Sequence, residues 1–209
     1  MNIALINASP KKAESASGVL LSDLKGAFVP EHNVKEFALN KPSISGAEIK
    51  ELQEYSTWIF AFPLYADGIP SHLLYCLCQM EKELSVDKAI QVYAIVNCGF
   101  FEGQQTQNAI AMMENWCVKT GLKWGMGIGF GGGGGFAQMK SIPLGKGPKS
   151  NLGKAYTILI DAVLSKSSKE NIYTSLSFPR FLYKFMGEIS WKSSIKANGG
   201  KVKDLDKRL

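Results

Sequence analysis

Apolar residues are grouped in five short runs that alternate with segments of helical periodicity. The runs predict strands over residues 2–8, 33–39, 57–65, 89–97 and 122–130. Helices are predicted over 17–28, from Ser45 or Gly46 to 53, from Pro70 onward, over 104–120 and over 151–165. Because the strands are nearly continuous apolar runs, they indicate a parallel sheet with helices on both faces. Residues 1–165 therefore predict a three-layer, doubly wound α/β domain with five strands.

The segment 166–209 has a different pattern. Apolar residues at 178, 181, 182, 185 and 189 form a helical stripe, and basic residues at 180, 184, 192 and 196 lie on another face. We therefore predict a C-terminal amphipathic helical extension. The favoured interpretation is that this helix docks on its own domain or on a second subunit. An alternative is that it lies on an anionic membrane surface.

The net positive charge of the chain comes entirely from this extension. The net charge is +6, and residues 1–165 contain equal numbers of basic and acidic side chains, 14 of each. Because the predicted domain carries no basic excess, we expect no nucleic-acid partner.

Composition is that of an ordinary globular chain, with 45% hydrophobic and 20% charged residues. No apolar stretch reaches the ~18 residues that cross a bilayer, and no secretory leader is recognised, so we expect a cytoplasmic protein. The four cysteines, at 76, 78, 98 and 117, form no C-x-x-C pair, and the chain has two histidines. We therefore expect reduced thiols in or near the core and no metal centre.

The first candidate loop is SPKKAESAS, which joins the first strand to the first helix. Ligands of doubly wound sheets bind beyond the carboxyl ends of the strands, where this loop lies. Unpaired N–H groups at the helix start, hydroxyl groups and Lys11 favour a metal-free phosphate site. The alternative is a simple helix cap by Ser15 or Ser17. Neither the Walker A pattern nor the dinucleotide fingerprint occurs in this turn.

Two further loops share the same predicted edge. In FPLYADGIPSHL, Pro63 ends a strand and Tyr65 offers a flat amphipathic face. In NCGFFEGQQ, Asn97 and Gly99 allow close backbone approach, and Phe100 is an aromatic residue within a loop. Together the three loops predict a site for a planar, phosphorylated cofactor.

These three motifs, in this order and at this spacing, resemble those of the flavodoxin-like NAD(P)H-dependent oxidoreductases, the NADPH-dependent FMN reductase and quinone reductase group. The resemblance covers roughly residues 1–165. It implies a flavodoxin-like sheet of order 2-1-3-4-5, bound FMN and a homodimer. It also implies ping-pong hydride transfer from NAD(P)H through FMN to a quinone, a flavin or a similar small-molecule acceptor.

The resemblance also implies which residues contact the cofactor. The phosphate would be held by Ser9, Lys11, Ser15, Ala16 and Ser17; the flavin ring would be bordered on one side by Pro63, Leu64, Tyr65 and Asp67, and at its pyrimidine end by Asn97, Cys98, Gly99 and Phe100. No catalytic side chain is assigned, because the flavin carries the chemistry.

Two alternatives for the function remain at this point. One is a flavodoxin-type electron carrier without turnover of its own; the neutral domain argues against it, since such carriers present an acidic face. The other is a flavin-binding protein that docks to a membrane or a partner through its basic tail. The glycine run 131–135 is predicted to be a mobile loop, with a flexible wall of the substrate pocket as the alternative.

Overall fold

The computed structural model describes residues 1–11, 15–28, 30–84 and 89–205. Its strands are β1 Asn2–Asn7, β2 Asn33–Ala38, β3 Thr57–Pro63, β4 Gln91–Cys98, β5 Lys123–Gly131 and β6 Ile172–Thr174. Its α-helices are α1 Ala16–Lys25, α2 Gly46–Leu52, α3 Ser71–Glu83, α4 Gln107–Thr120, α5 Ser150–Leu164 and α6 Arg180–Ala197. Short 3₁₀ segments cover Gly103–Thr106, Gly133–Met139, Gly147–Lys149 and Val202–Asp204.

The strands form one parallel sheet in the order β2-β1-β3-β4-β5-β6. The predicted order 2-1-3-4-5 is therefore confirmed for the first five strands. The prediction of five strands is wrong by one, because β6 pairs with the edge of β5, with Ile172 opposite Ile128. Three half-buried residues carry too little hydrophobic pattern to be recognised in the sequence.

Helices cover both faces of the sheet, as predicted. Trp58 and Phe60 of β3 face the buried cluster that includes residues of α2, α3 and α4. On the other face, the Tyr93 hydroxyl of β4 donates to the carbonyl of Ala162 in α5 at 2.8 Å. All eight residues of β4 are buried, which explains its continuous apolar run.

Local signals set the ends of several helices. Ser45 caps α2 with a reciprocal capping box to Glu48, as its position in the sequence indicated. Gly121 ends α4 with φ 71°, a backbone conformation that glycine adopts without strain. All four cysteines are unpaired, but Cys78 is exposed rather than in the core.

The glycine run 131–135 takes part in regular structure that the sequence did not predict. Gly131 belongs to β5, and residues 133–139 form a 3₁₀ segment. Phe136 of this segment is fully buried and meets the ring of Phe130 edge to face, with 5.2 Å between ring centroids. Burial of an aromatic side chain of this kind stabilises a fold by about 1.5–3 kcal/mol.

The chain divides into two compact units, Met1–Leu176 and Ser177–Leu209. The first unit extends past residue 165, the predicted boundary, because β6 belongs to the sheet. The second contains α6, the predicted amphipathic helix. Of the helices within the described residues, none has both the length and the apolar character that crossing a bilayer requires.

Candidate functional site

The carboxyl ends of β1, β3 and β4 bring the three predicted loops to one edge of the sheet. The backbone N–H of Ala8 donates to the carbonyl of Ala61 at 2.9 Å, which continues the β1–β3 pairing past the end of β1. The N–H of Leu64 donates to the carbonyl of Asn97 at 2.7 Å and does the same for β3 and β4. The loops that follow these strands therefore lie side by side, as the doubly wound fold requires.

In the first loop, buried hydroxyl groups organise the backbone. The Ser9 hydroxyl accepts from the N–H of Lys11 at 3.3 Å, and Ser9 donates its own N–H to the Asn7 side chain at 3.1 Å. Ser15 caps α1 by accepting from the N–H of Gly18 at 3.0 Å. Part of the hydroxyl content that suggested a phosphate site thus has a structural role, and Lys11 is exposed. Lys12, Ala13 and Glu14 lie outside the described residues.

Ser17 points into the protein. Its side chain is 1% exposed, and its hydroxyl accepts from the Asn97 amide at 2.9 Å. The same amide donates to the carbonyl of Phe62 at 3.1 Å. Asn97 therefore ties the start of α1 to β3 and β4, a role that the sequence did not reveal. At the start of α1, the N–H groups of Ala16 and Ser17 belong to the first turn, where no intrahelical acceptor exists.

A surface cavity of about 360 Å³ lies beside this helix start. It is lined by Asn7, Ser15, Gly18, Val19, Ser22, Asp23 and Lys140. Lys140 directly follows the 3₁₀ segment 133–139, so the chain after β5 supplies a cation to a cavity whose other residues come from β1 and α1. Nothing in the sequence indicated that Ser22, Asp23 and Lys140 belong to this site, because only the fold brings Lys140 next to Ser15.

Asp23 is held by a buried cation. The Lys149 ammonium donates to the Asp23 carboxylate at 2.8 Å, and the Lys149 side chain is completely buried. The same ammonium lies 4.8 Å from the centre of the Phe136 ring. Lys149 therefore balances the charge of Asp23 at the edge of the cavity.

The second loop is a tight hairpin turn. Tyr65 and Gly68 exchange backbone hydrogen bonds of 3.2 and 3.0 Å, and Ala66 and Asp67 have φ angles of 45° and 58°. Two consecutive left-handed residues define a type I′ turn, which costs about 1–2 kcal/mol at a residue with a Cβ, such as Ala66. The turn leaves the side chain of Tyr65 48% exposed. The dipeptide Asp67-Gly68, which is a common turn signal in sequences, forms the second half of this turn.

The third loop presents an aromatic ring beside a buried thiol. Phe100 is 55% exposed, and its carbonyl accepts from the N–H of Gly132 at 2.6 Å. Cys98 is buried, with its sulfur 3.6 Å from the carbonyl oxygen of Glu102. Burial raises the pKa of the Cys98 thiol, which therefore stays protonated and is a poor nucleophile.

Another residue at this edge was missed by the sequence analysis. The Nε2 atom of His72, in the first turn of α3, lies 3.2 Å from the carbonyl oxygen of Ala8. It links the start of α3 to the first loop. A histidine near the start of a predicted helix gave no signal of this contact, because the partner is 64 residues away in the sequence.

The arrangement favours binding of a planar anion. Helix N–H groups and Lys140 lie at one end, and the exposed rings of Tyr65 and Phe100 follow neighbouring strands. Among the described residues, no group of three or more His, Cys, Asp or Glu side chains could hold a metal ion.

Comparison with known proteins identifies the fold. No protein-family model matches the sequence, and no curated protein is significantly similar to it. General stress protein 14 from Treponema denticola, in complex with FMN, is 13% identical, with a TM-score of 0.53 over 78% of this chain and 99% of that one. An NAD(P)H:quinone oxidoreductase from Methanothermobacter marburgensis is 13% identical, with a TM-score of 0.52 over 66% of this chain and 89% of that one.

The Trp repressor binding protein from Bacillus subtilis is 17% identical, with a TM-score of 0.50 over 68% of this chain and 97% of that one. At these identities the likeness concerns the fold. The strand order 2-1-3-4-5 is that of the flavodoxin-like sheet. The first unit of this chain therefore has a flavodoxin-like fold, extended by one parallel strand at the β5 edge.

Proposed function

We propose that this protein is an NAD(P)H-dependent oxidoreductase that uses bound FMN to reduce a quinone, a flavin or a similar small acceptor in a ping-pong cycle. The observation that carries the proposal is the meeting of a capped helix start, a cavity lined by Lys140 and two exposed aromatic rings at one sheet edge. When bound, FMN supplies the redox chemistry: it accepts hydride from nicotinamide and passes the electrons on. The names of two similar structures, an FMN complex and an NAD(P)H:quinone oxidoreductase, support the same chemistry.

The residues present fit the phosphate of FMN. The N–H groups of Ala16 and Ser17 at the start of α1 would donate hydrogen bonds to phosphate oxygens. The positive end of the helix dipole would strengthen the binding. Lys140 would add an ammonium group from the cavity wall. Ser9 and Ser15 would fix the loop and cap the helix, because their hydroxyl groups accept from backbone N–H groups, and the O–H of each remains a donor for a phosphate oxygen.

The residues present also fit the flavin ring. A Cβ placed on Gly99 would meet nothing within 4 Å, so there is open space above this loop for a planar ligand. Tyr65 and Phe100 would border that space with aromatic faces, with Pro63, Leu64 and Asp67 beside the hairpin. Gly99 and Cys98 would offer backbone groups at the pyrimidine end. Asn97 would position the site by holding α1 against β4.

Flavin binding and turnover test the proposal directly. The purified chain should show flavin absorption bands, or acquire them when FMN is added, and should then oxidise NADH or NADPH in the presence of a small quinone. Binding without steady oxidation of either nucleotide would instead favour an electron carrier. If FMN at saturating concentration leaves the visible spectrum of free flavin unchanged, the proposal is wrong.

A substitution of Lys140 tests the part of the proposed site that would bind the FMN phosphate. We expect Lys140→Gln to weaken FMN binding roughly tenfold, the value of one hydrogen bond to a charged group. Binding of riboflavin, which lacks the phosphate, should not change. Flavin fluorescence quenching measures both dissociation constants.

The matched control is Lys146→Gln, which removes the same charge from an exposed lysine outside the cavity lining. It should leave both dissociation constants unchanged. An equal loss of FMN and riboflavin binding in Lys140→Gln, or an equal loss of FMN binding in both variants, would contradict the role given to Lys140.

A further inference from the structure

The second unit cannot bury the apolar residues of its own helix. Within residues 177–205, α6 is followed by a single 3₁₀ turn at Val202–Asp204, and no residue of α6 is buried. Phe181 and Trp191 are 75% and 73% exposed. Large aromatic side chains at this density are uncommon on a surface that faces water alone.

Most of the exposed apolar residues of α6 lie on one side of the helix. With 3.6 residues per turn, five apolar side chains fall within an arc of about 140°. This apolar face consists of Phe181, Leu182, Phe185, Met186 and Ile189. A shallow groove runs along it, bounded on one side by Lys184 and Glu188. The first three turns of α6 are therefore amphipathic.

The partner of this face has to be compatible with positive charge. Residues 177–209 contain eight Lys or Arg and three Asp or Glu, whereas residues 1–176 contain 16 and 15. The charge excess of the chain is thus concentrated in the unit that carries the apolar face. An anionic surface complements it, and a neutral or basic one does not.

The position of the last two lysines of α6 favours a lipid surface over a protein as the partner of the apolar face. The prediction that all four basic residues lie on another face is wrong for two of them: in the same projection, Lys192 and Lys196 turn onto the side of α6 that carries Phe181 and Phe185. In a packed protein interface their ammonium groups would be desolvated beside apolar residues. At a lipid surface the long side chains extend to the headgroups while their methylene stems stay apolar.

We propose that α6 docks on an anionic lipid surface, with its apolar face at the headgroup–acyl boundary and its basic residues against the headgroups. The helix lies on the surface: charged residues recur at every fourth position from Arg180 to Lys196, so no side of it is continuously apolar. This inference is independent of the proposed oxidoreductase function.

Vesicle co-sedimentation of the full chain tests the proposal. The protein should pellet with phosphatidylcholine vesicles that contain phosphatidylglycerol and should stay in the supernatant with pure phosphatidylcholine. High salt should weaken the binding. The double variant Lys184→Gln/Lys192→Gln should lose about 25-fold in affinity, because each basic residue near an anionic surface contributes about fivefold. Phe181→Ser/Phe185→Ser should lose at least tenfold.

The control pair Lys50→Gln/Lys154→Gln makes the same change in net charge at exposed positions of the first unit, and should keep vesicle binding. Light scattering after gel filtration measures the oligomeric state, and so tests whether a second copy of the chain covers the apolar face instead. If the wild type does not bind anionic vesicles, the proposal is wrong; if Phe181→Ser/Phe185→Ser then converts a dimer to a monomer, the face is an interface between copies. The proposal is equally wrong if vesicle binding does not depend on lipid charge, or if both lysine pairs weaken it equally.

Discussion

Replacing Asp23 by Ala should lower the free energy of unfolding by about 3–5 kcal/mol. The change leaves the Lys149 ammonium, which is completely buried, without its carboxylate partner. The ring of Phe136 offers that ammonium only a weak cation–π attraction, so the desolvation of the charge is largely uncompensated. Urea unfolding followed by near-UV circular dichroism measures the loss.

The opposite change, Lys149→Met, should cost less, about 1–2 kcal/mol. The carboxylate that remains is 19% exposed at the cavity and can be hydrated. Methionine also fills the space of the lysine stem and contacts Phe136 favourably. The double variant Asp23→Ala/Lys149→Met should therefore be more stable than Asp23→Ala alone. If the single Asp23 variant is no less stable than the double variant, the buried ammonium does not depend on its partner.

The sequence predicts the sheet well because strands that are buried on both faces are continuous apolar runs. β3 and β4 are examples, and their order follows once the fold class is recognised. β6 could not be predicted, since its partner Ile128 is more than forty residues away from Ile172 and its three residues are half-buried. Predicted element boundaries differ from the observed ones by three residues or fewer.

The candidate site likewise has features that the sequence predicts and features that it does not. The edge of the sheet and its three loops follow from the strand ends, so their positions are predictable. The direction of each side chain is not: Ser17 turns inward because a partner amide comes from Asn97, eighty residues away. Lys140 and Lys149 were missed because the segment after β5 was predicted to be a mobile loop. Glycine indicates local freedom in a sequence, whereas here it permits close contacts between distant segments.

Gly103 makes a very close contact of this kind. We expect Gly103→Ala to destabilise the protein by about 3 kcal/mol or more. An added Cβ would overlap the carbonyl oxygens of Gly129 in β5 and Thr174 in β6. Both obstacles are backbone atoms of paired strands, so no side-chain rotation relieves the overlap. The 3₁₀ segment that begins at Gly103 has to move away from the sheet edge. Thermal and urea unfolding measure the effect.

Gly26→Ala is the matched control, because a Cβ on Gly26 meets nothing within 4 Å and its φ is −57°. It should leave the stability unchanged or raise it by about 0.4–1 kcal/mol. The displaced segment directly follows the loop of Gly99 and Phe100, so Gly103→Ala should also weaken FMN binding, and Gly26→Ala should not. Equal stability of the two variants would show that β5, β6 and the segment 103–106 are not closely packed. If Gly103→Ala loses stability but keeps full FMN affinity, the packing at Gly103 does not determine the geometry of the third loop.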